Sequence, residues 1–310
     1  MCTSLLKNFK DDKIEVVKKN DLFRKSFIAL SKRLPHSFYI ATHDEKIDSI
    51  RASIMKYNYY YETRLSNIIA NLYQKKKAEG KETIFLDVGG NIGWFSLVAA
   101  AHGASRIYTF EPNLQNSIRF CESLSLNGWL APDFVTPIQK GVGNVSESLN
   151  LYIPGNSANN PGTFTFKKPY DNAETVGKMN ITTLDEFAES EGWFDNKPSI
   201  PMFKLDVEMF ERQVIEGAQR LLNSHIIEYI AMELKPEHDE LTKLKIVTIL
   251  MEAGYELYMH GMWYGPDTVV TKNYTSPIDL VTDLQKGVYR ENVVFRHKSI
   301  LESLNTTFAS

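Results

Sequence analysis

The pattern of hydrophobic and polar positions changes near residue 80. From Thr83 onward, short apolar runs alternate with amphipathic helical stretches. The first run, TIFLDV at 83–88, is almost wholly apolar, as expected of a strand buried on both faces of a sheet. Further runs predict strands near 106–110, 134–139, 202–207, 228–233, 255–259 and 291–297. Because helical stretches separate most of these runs, the pattern predicts an α/β fold around a seven-stranded, mostly parallel sheet with helices on both faces.

Residues 1–80 lack this alternation, and we predict a mostly helical N-terminal extension there that could serve as a lid. Residues 81–310 are predicted to form one domain with insertions near 144–180 and 259–290. The segment 141–154 alternates like an added hairpin, and the Gly-, Pro- and Asn-rich stretch at 154–180 predicts a loop.

The composition limits the classes of protein to which the chain can belong. A chain of 310 residues that is 43% hydrophobic can bury a sizeable core. The net charge of −3 is spread along the chain, so neither a nucleic acid nor an anionic membrane is a required partner. Cys2 and Cys121 lack the spacing of a disulfide framework or a zinc site, which fits a reducing compartment. With no apolar signal segment and no run long enough to span a membrane, we predict a cytoplasmic protein and treat its four Asn-x-Ser/Thr matches as chance.

The most specific local motif is DVGGNIG, from Asp87 to Gly93, where the first predicted strand ends and a helix begins. Glycines allow a tight turn and a close ligand approach, and the free N–H groups of a helix start favour a carboxylate or phosphate. Val88 stands where the NAD fingerprint Gly-x-Gly-x-x-Gly has its first glycine. An acid at Asp87 suits a ligand with an ammonium group, such as the methionine part of S-adenosylmethionine.

Glu111 follows the second strand, where an acid can accept hydrogen bonds from both hydroxyls of a ribose. This position would serve a dinucleotide equally well. The alternative for the loop is a plain Gly-rich turn, and the alternative for Glu111 is a solvated carboxylate. Together, the loop and the acid predict a nucleotide-like ligand.

From about Tyr60 to Leu234 the chain resembles the FkbM-type methyltransferases. The resemblance rests on an ordered series of blocks: Tyr61-Glu62, FLDVGGNIG, FEP at 110–112, GVGN at 141–144, ITTLDEF at 181–187, FKLDVE at 203–208 and MEL at 232–234. It implies the class I methyltransferase Rossmann-like fold, S-adenosylmethionine as methyl donor and S-adenosylhomocysteine as product. The donor-binding residues that we predict are Asp87, Gly89, Gly90, Asn91, Gly93, Glu111 and Gly141.

The chain departs from the family pattern at three positions. The family usually has Ala at Gly90, Gly at Met209 and often His at Lys235. The backbone after Glu208 is therefore expected to differ, and the acceptor pocket with it. Acceptors in the family vary widely, so the resemblance does not identify the substrate.

The carboxyl ends of the strands should place several acids around one cleft. Methyl transfer from a sulfonium is an in-line displacement, so alignment matters most, and a hydroxyl acceptor must also lose a proton. Asp206 is the first candidate for the base, and Lys204, on the same side of the strand, could hold its carboxylate. Glu208 and Glu233 are the next catalytic candidates. Asp206 could instead cap a helix, and Lys204 and Glu233 could form structural ion pairs.

Three acids at one edge could also hold Mg²⁺, which prefers carboxylate oxygens, but we do not predict a metal. His238 and His260 are weaker base candidates. Trp263, Tyr264 and the tyrosines at 57–61 could cover the cleft, although ordinary packing explains most of them equally well.

The sequence therefore predicts a methyltransferase that modifies a hydroxyl of a sugar, a glycan or another small molecule. A nucleic-acid methyltransferase, an NAD-dependent oxidoreductase and a donor-binding scaffold without turnover are the alternatives. No nucleic-acid or membrane partner is favoured, and the oligomeric state is left open. Short lysine runs at 75–77 and 167–168 are the basis of the nucleic-acid alternative.

Overall fold

The structure is a computed structural model. It describes residues 1–4, 27–30, 36–43, 48–57, 61–131, 133–154, 160–171, 173–235, 237–261, 268–288, 292–301 and 304. Over these residues the strands are, in chain order, β1 Phe27–Leu30, β2 Tyr39–Thr42, β3 Ile84–Val88, β4 Arg106–Phe110, β5 Val135–Ile138, β6 Gly141–Val142, β7 Ser148–Tyr152, β8 Thr175–Thr182, β9 Ile200–Leu205, β10 Ile227–Glu233, β11 Tyr255–His260, β12 Thr268–Val269 and β13 Asn292–His297. The helices are α1 Ser49–Tyr57, α2 Thr63–Ala78, α3 Trp94–Ala101, α4 Leu114–Leu126, α5 Leu184–Ser190, α6 Trp193–Asn196, α7 Glu211–Glu216, α8 Gln219–Asn223, α9 Glu240–Glu252 and α10 Pro277–Gln285.

The central sheet has the strand order β12-β11-β13-β10-β9-β3-β4-β5. Strands β5, β4, β3, β9 and β10 pair in parallel, whereas β13 lies antiparallel between β10 and β11. The seven predicted strands are confirmed, each within two residues at either end. The additional strand β12 contributes two residues at one edge.

Burial explains why the central strands were readable from the sequence. Every residue of β3 and of β9 is buried, which matches their continuous apolar runs. One hydrophobic core lies against α2, α3 and α4, and a second lies against α5 and α7 to α10. Helices therefore cover both faces, as predicted. Among the described helices, none combines the length and the apolar character that crossing a bilayer requires.

The N-terminal extension is mostly helical where it is described, but it also contains a strand pair that the sequence did not predict. Strands β1 and β2 form an antiparallel pair, and helices α1 and α2 follow them. The reason is the alternation at 38–40, where Phe38 and Ile40 are buried and Tyr39 is exposed. Residues 5–26 lie outside the described residues. Phe38, Ile40 and Ile50 share the core of the central sheet, so the described parts of the extension pack directly on the domain.

The first insertion forms a small sheet with the order β6-β8-β7. The hairpin expected within 141–154 is wrong, because β7 pairs instead with β8, which lies within the predicted loop. A return of about twenty residues separates the two strands, so local alternation could not reveal the partner. The second insertion contains β12 and α10, while Trp263 and Tyr264 lie outside the described residues.

Cys2 and Cys121 form a disulfide, with their Cα atoms 5.2 Å apart. The prediction that neither cysteine belongs to a disulfide is therefore wrong. Short-range spacing carried no signal because the two residues are 119 positions apart and meet only through packing of the N-terminus on α4. The bond ties residue 2 to the helix that follows Glu111.

Candidate active site

A cleft of about 750 Å³, open to solvent, lies at the carboxyl ends of β3, β4 and β9. The cleft brings together eight of the predicted site residues, which are Gly89, Gly90, Asn91, Glu111, Gly141, Lys204, Asp206 and Glu208. Asp87, Gly93 and Glu233 do not line it. The open sheet thus places its candidate chemistry at the edge expected for this topology.

The turn after β3 needs glycine for packing reasons as well as for ligand access. Gly89 has φ +82°, and a Cβ there would lie 1.7 Å from the backbone oxygen of Asp206. Gly93 has φ +86°, and its Cβ would lie 1.9 Å from Phe120 Cδ2. Glycine at position 93 therefore allows the start of α3 to pack against α4, and Gly93 does not line the cleft.

Gly90 explains one departure from the family pattern. A Cβ at Gly90 would lie 2.1 Å from Cγ2 of Thr109 on β4, so the threonine methyl group occupies the space that an alanine would need. The Thr109 hydroxyl lies 2.6 Å from Ser96 Oγ, which donates to Asp87 Oδ2 at 2.7 Å. The glycine and the threonine thus form a compensating pair.

We expect Gly90→Ala to destabilise the fold by about 1–3 kcal/mol through overpacking. Adding Thr109→Ser removes the obstructing methyl group and keeps the hydroxyl, so the double variant should recover most of this loss. Urea denaturation of the two single variants and the double variant measures the coupling. Additive effects of the two substitutions would contradict the proposed compensation.

Glu111 is held by backbone groups from two loops. Its Oε2 accepts the Asn91 N–H and its Oε1 accepts the Asn113 N–H, both at 2.8 Å. Burial raises the pKa of Glu111 to about 7, although the N–H donors of Asn113 and Asn91 act in the opposite direction. Oε1 also accepts from the Asn116 side chain at 3.4 Å, whereas Oε2 keeps capacity for a further donor. Glu111 is therefore fixed in orientation and able to accept hydrogen bonds from ligand hydroxyls.

Lys204 is a buried cation at the centre of the site. Its Nζ donates to the Gly89 carbonyl at 2.7 Å, and it lies 3.5 Å from Asp206 Oδ2 and 3.7 Å from Asp87 Oδ1. Burial alone would lower the pKa of Lys204, but the charges of Asp206 and Asp87 outweigh it and raise the pKa. One ammonium thus joins the glycine turn to the carboxylates at the ends of β3 and β9.

Asp87 lies behind the turn and does not face the cleft. Its side chain is fully buried, with Ser96 and Lys204 as partners. Burial raises the pKa of Asp87, while Lys204 acts to lower it. Asp87 Oδ2 is thus committed to Ser96, whereas Oδ1 has no hydrogen-bond partner among the described residues, and its contact with a ligand ammonium stays a prediction.

Asp206 faces the cleft with its side chain 28% exposed. Its backbone N–H donates to Val88 O at 3.0 Å, which fixes the end of β9 against β3. The alternative in which Asp206 caps a helix is wrong, because α7 begins at Glu211 and its N-cap residue is Phe210. The carboxylate is thus free for the chemistry of the cleft and is oriented by Lys204.

Glu208 and Glu233 share a cation that the sequence did not assign to them. Lys235 Nζ lies 2.5 Å from Glu208 Oε2 and 3.1 Å from Glu233 Oε2. Burial, together with the charge of Asp206, raises the pKa of Glu233 to about 7 and also raises the pKa of Glu208. Lys235 fills the space between the two carboxylates that a metal ion would need. Within the described residues no three His, Cys, Asp or Glu side chains are grouped to hold a metal, so the Mg²⁺ alternative gains no support.

The backbone after Glu208 keeps a conformation that favours glycine. Glu208 has φ +53° and Met209 has φ +72°. Met209 therefore lies in the left-handed region that favours glycine, the residue that the family usually has here, and the expected difference in backbone stays a prediction. A side chain in this region carries strain of the order of 1 kcal/mol.

We expect Met209→Gly to raise the free energy of unfolding by about 0.5–1 kcal/mol, since relief of left-handed strain exceeds the extra entropy of an unfolded glycine. Thermal unfolding monitored by circular dichroism measures the change. A matched Met179→Gly substitution on β8 should destabilise, because no positive φ is relieved there. A loss of stability in Met209→Gly would show that the methionine side chain contributes more through packing than it costs in strain.

The N-terminal extension and the first insertion form part of the cleft wall. Ile50 and Tyr61 come from the extension, and Pro161, Gly162, Phe164 and Phe166 come from the insertion. The Pro161 carbonyl accepts from the Asn113 and Asn116 side chains at 3.3 and 3.1 Å. The sequence analysis named Tyr61 but missed Ile50 and the residues of the insertion. The Asn-Pro-Gly turn beside two closely spaced phenylalanines was the signal that could have found the insertion residues.

Neither His238 nor His260 lines the cleft. His238 Nε2 lies 2.8 Å from Glu211 Oε2 in a buried pair, and Glu211 Oε1 accepts the Val207 N–H at 3.3 Å. His238 therefore supports the loop after β9. His260 ends β11 at the far part of the sheet from the glycine turn.

The strand order, the glycine turn after the first central strand and the acid that closes the second define the class I methyltransferase fold. The chain matches the family described as "Methyltransferase FkbM domain" over residues 87–257, more than half of its length. It belongs to this family.

Solved structures of methyltransferases resemble the chain at low identity. The FkbM methyltransferase from Methylobacillus flagellatus KT is 14% identical, with a TM-score of 0.42; the match covers 70% of this chain and 43% of that chain. A methyltransferase from Agrobacterium tumefaciens is 10% identical, with a TM-score of 0.41, and the match covers 88% of this chain and 70% of that one. The chain therefore spans less than half of the Methylobacillus protein. No curated protein sequence matches the chain.

Proposed function

We propose that the protein is an S-adenosylmethionine-dependent methyltransferase that methylates a hydroxyl group of a sugar, a glycan or another small molecule. The observation that carries the proposal is that Gly89, Gly90, Asn91, Glu111 and Gly141 line one cleft in a chain of the FkbM family. Family membership supports methyl transfer. The hydroxyl acceptor is our inference from the charges of the cleft.

The residues of the cleft fit the parts of this donor. Glu111 is oriented by two N–H groups and can accept hydrogen bonds from the ribose hydroxyls. Apolar surface from Phe110, Phe164 and Phe166 suits the adenine ring. We therefore place the ribose at Glu111 and the amino-acid end near the turn from Gly89 to Gly93.

When bound, S-adenosylmethionine supplies a methyl group on a positively charged sulfur. Asp206 faces the cleft and would accept the proton of the acceptor hydroxyl. Lys204 would hold the carboxylate of Asp206 and the carbonyl of Gly89 in fixed positions, which aligns the acceptor with the donor. Glu208 also lines the cleft and would bind the rest of the acceptor, while Lys235 links it to Glu233 outside the lining.

The charge of this region favours a neutral hydroxylated acceptor. Asp206, Glu208 and Glu233 outnumber the two nearby lysines, Lys204 and Lys235, and carboxylates accept hydrogen bonds from hydroxyl groups. Phosphates would be repelled by the same groups, which weighs against a nucleic acid. The family match in turn weighs against an NAD-dependent oxidoreductase.

A thermal shift assay tests the donor. S-adenosylhomocysteine at a hundred times its Kd should stabilise the fold by about 2.7 kcal/mol, whereas NAD at the same concentration should not. Stabilisation by NAD alone would overturn the proposal. Incubation with labelled donor and a fractionated extract of the source then identifies the acceptor by mass, and donor binding without any labelled product would favour the scaffold alternative.

We still propose that the protein is located in the cytoplasm. The Cys2–Cys121 disulfide opposes this proposal, because disulfides are typical of oxidising compartments. Alkylation of thiols at the moment of cell lysis decides between them. Two alkylated cysteines would support the cytoplasm, and unmodified, disulfide-bonded cysteines would contradict it.

A further inference from the structure

The glutamate that precedes helix α2 has an unused carboxyl oxygen beside the cleft. Glu62 is the N-cap residue of α2 and has φ +44° and ψ 60°, in the left-handed region. Its Oε2 is buried and has no hydrogen-bond partner among the described residues. A buried polar atom without a partner costs stability, so its retention calls for a physical reason.

The surroundings of Glu62 relate it to the active site. Burial raises the pKa of Glu62 well above its usual range; the charge of Asp206 acts in the same direction, and the charge of Lys204 opposes it. A hydrogen bond from Tyr61 lowers this pKa, and the charge of Glu233 raises it slightly. Tyr61, Lys204 and Asp206 all line the cleft, and Glu62 follows Tyr61 directly in the chain without lining the cleft itself.

The ammonium group of the donor needs a carboxylate near the Gly89 end of the cleft. Asp87, the residue expected to bind it, is fully buried and lies beside Ser96 and Lys204. Asp206 lines the cleft and is assigned to the acceptor hydroxyl in the proposed function. Glu62 is a further carboxyl group near Asp206, and a cation placed beside it would favour its ionised form.

We propose that Glu62 binds the α-ammonium group of the methyl donor, with Tyr61 orienting its carboxylate and Asp206 as the neighbouring acid. The inference rests on the proposed function, because it concerns the same donor in the same cleft. It assigns the first contact of the amino-acid end to the N-terminal extension. Binding of the donor would then also hold the extension against the domain.

Calorimetric titration with two ligands tests the assignment. The probes are S-adenosylhomocysteine and its deamino analogue, which lacks only the ammonium group. We expect Glu62→Gln to weaken S-adenosylhomocysteine binding by about 10- to 100-fold, the effect of losing a charge-assisted hydrogen bond. Binding of the deamino analogue should change by less than about threefold, because the group that Glu62 contacts is absent. Glu79→Gln at the other end of α2 is the matched control and should leave both affinities unchanged.

The comparison separates the possible outcomes. Equal loss for both ligands in Glu62→Gln would mean a structural role for Glu62 and would overturn the proposal, as would unchanged binding of S-adenosylhomocysteine. Failure of the wild-type protein to bind S-adenosylhomocysteine would instead overturn the proposed function. If Glu62→Gln does not fold, Glu62→Asp keeps the charge on a shorter side chain, and it should weaken only the ligand that carries the ammonium group.

Discussion

Asp206→Asn should abolish most methyl transfer while leaving the donor bound. We expect turnover with the identified acceptor to fall by about 10²–10⁴-fold, the contribution of a positioned base. An amide is close to a carboxylate in size but cannot take the proton. Because the proposed direct contacts of the donor are Glu111 and the turn from Gly89 to Gly93, the Kd of S-adenosylhomocysteine should stay within a few fold of the wild-type value. Turnover of labelled donor and calorimetry measure the two quantities separately.

Asp133→Asn is the matched control, since Asp133 is exposed in the loop before β5. It should have wild-type turnover and affinity. Turnover of Asp206→Asn close to that of the wild type would exclude Asp206 as the base and turn attention to Glu208 or Glu233. A proportional loss of donor affinity would instead show that Asp206 mainly binds the donor.

Lys204→Met should destabilise the whole domain. The ammonium contacts the Gly89 carbonyl and lies within 3.7 Å of both Asp87 and Asp206. Its removal leaves Asp87 as a buried carboxylate without its cation, and breaking one side of a buried ion pair costs about 3–5 kcal/mol. Urea denaturation should show this loss, and donor binding should weaken as well because the glycine turn loses its anchor.

A second substitution should restore part of the stability. Asp87→Asn in the Lys204→Met background removes the buried charge, so the double variant should be more stable than Lys204→Met alone. Lys178→Met, at an exposed position of β8, is the matched control and should change stability by less than about 0.5 kcal/mol. A Lys204→Met variant as stable as the wild type would mean that Asp87 is held neutral by Ser96 and its burial alone.

The central fold was predictable because its strands are buried on both faces. A continuous apolar run such as β9 indicates burial directly from the sequence. In the helices that follow, apolar positions recur with the helical period and indicate the buried face. The N-terminal pair β1 and β2 was not predictable in the same way. Only three alternating residues, 38–40, indicated a strand there, and β2 is buried by residues from distant parts of the chain.

The positions of the turn at Gly89–Gly93 and of Glu111 at the cleft were also predictable, since each follows a strand directly. The remaining features depend on contacts between distant segments. Lys235 bridges Glu233 at the end of β10 and Glu208 in the loop after β9, and the Cys2–Cys121 bond joins residues 119 positions apart. The ion pair of Asp87 with Lys204 likewise joins two different strands.

A structure of the protein bound to S-adenosylhomocysteine tests the central claim most directly. The account predicts that the ribose hydroxyls donate to Glu111 and that the amino-acid end lies against the turn from Gly89 to Gly93. A nucleotide bound in another cleft, or one whose ribose does not reach Glu111, would contradict it.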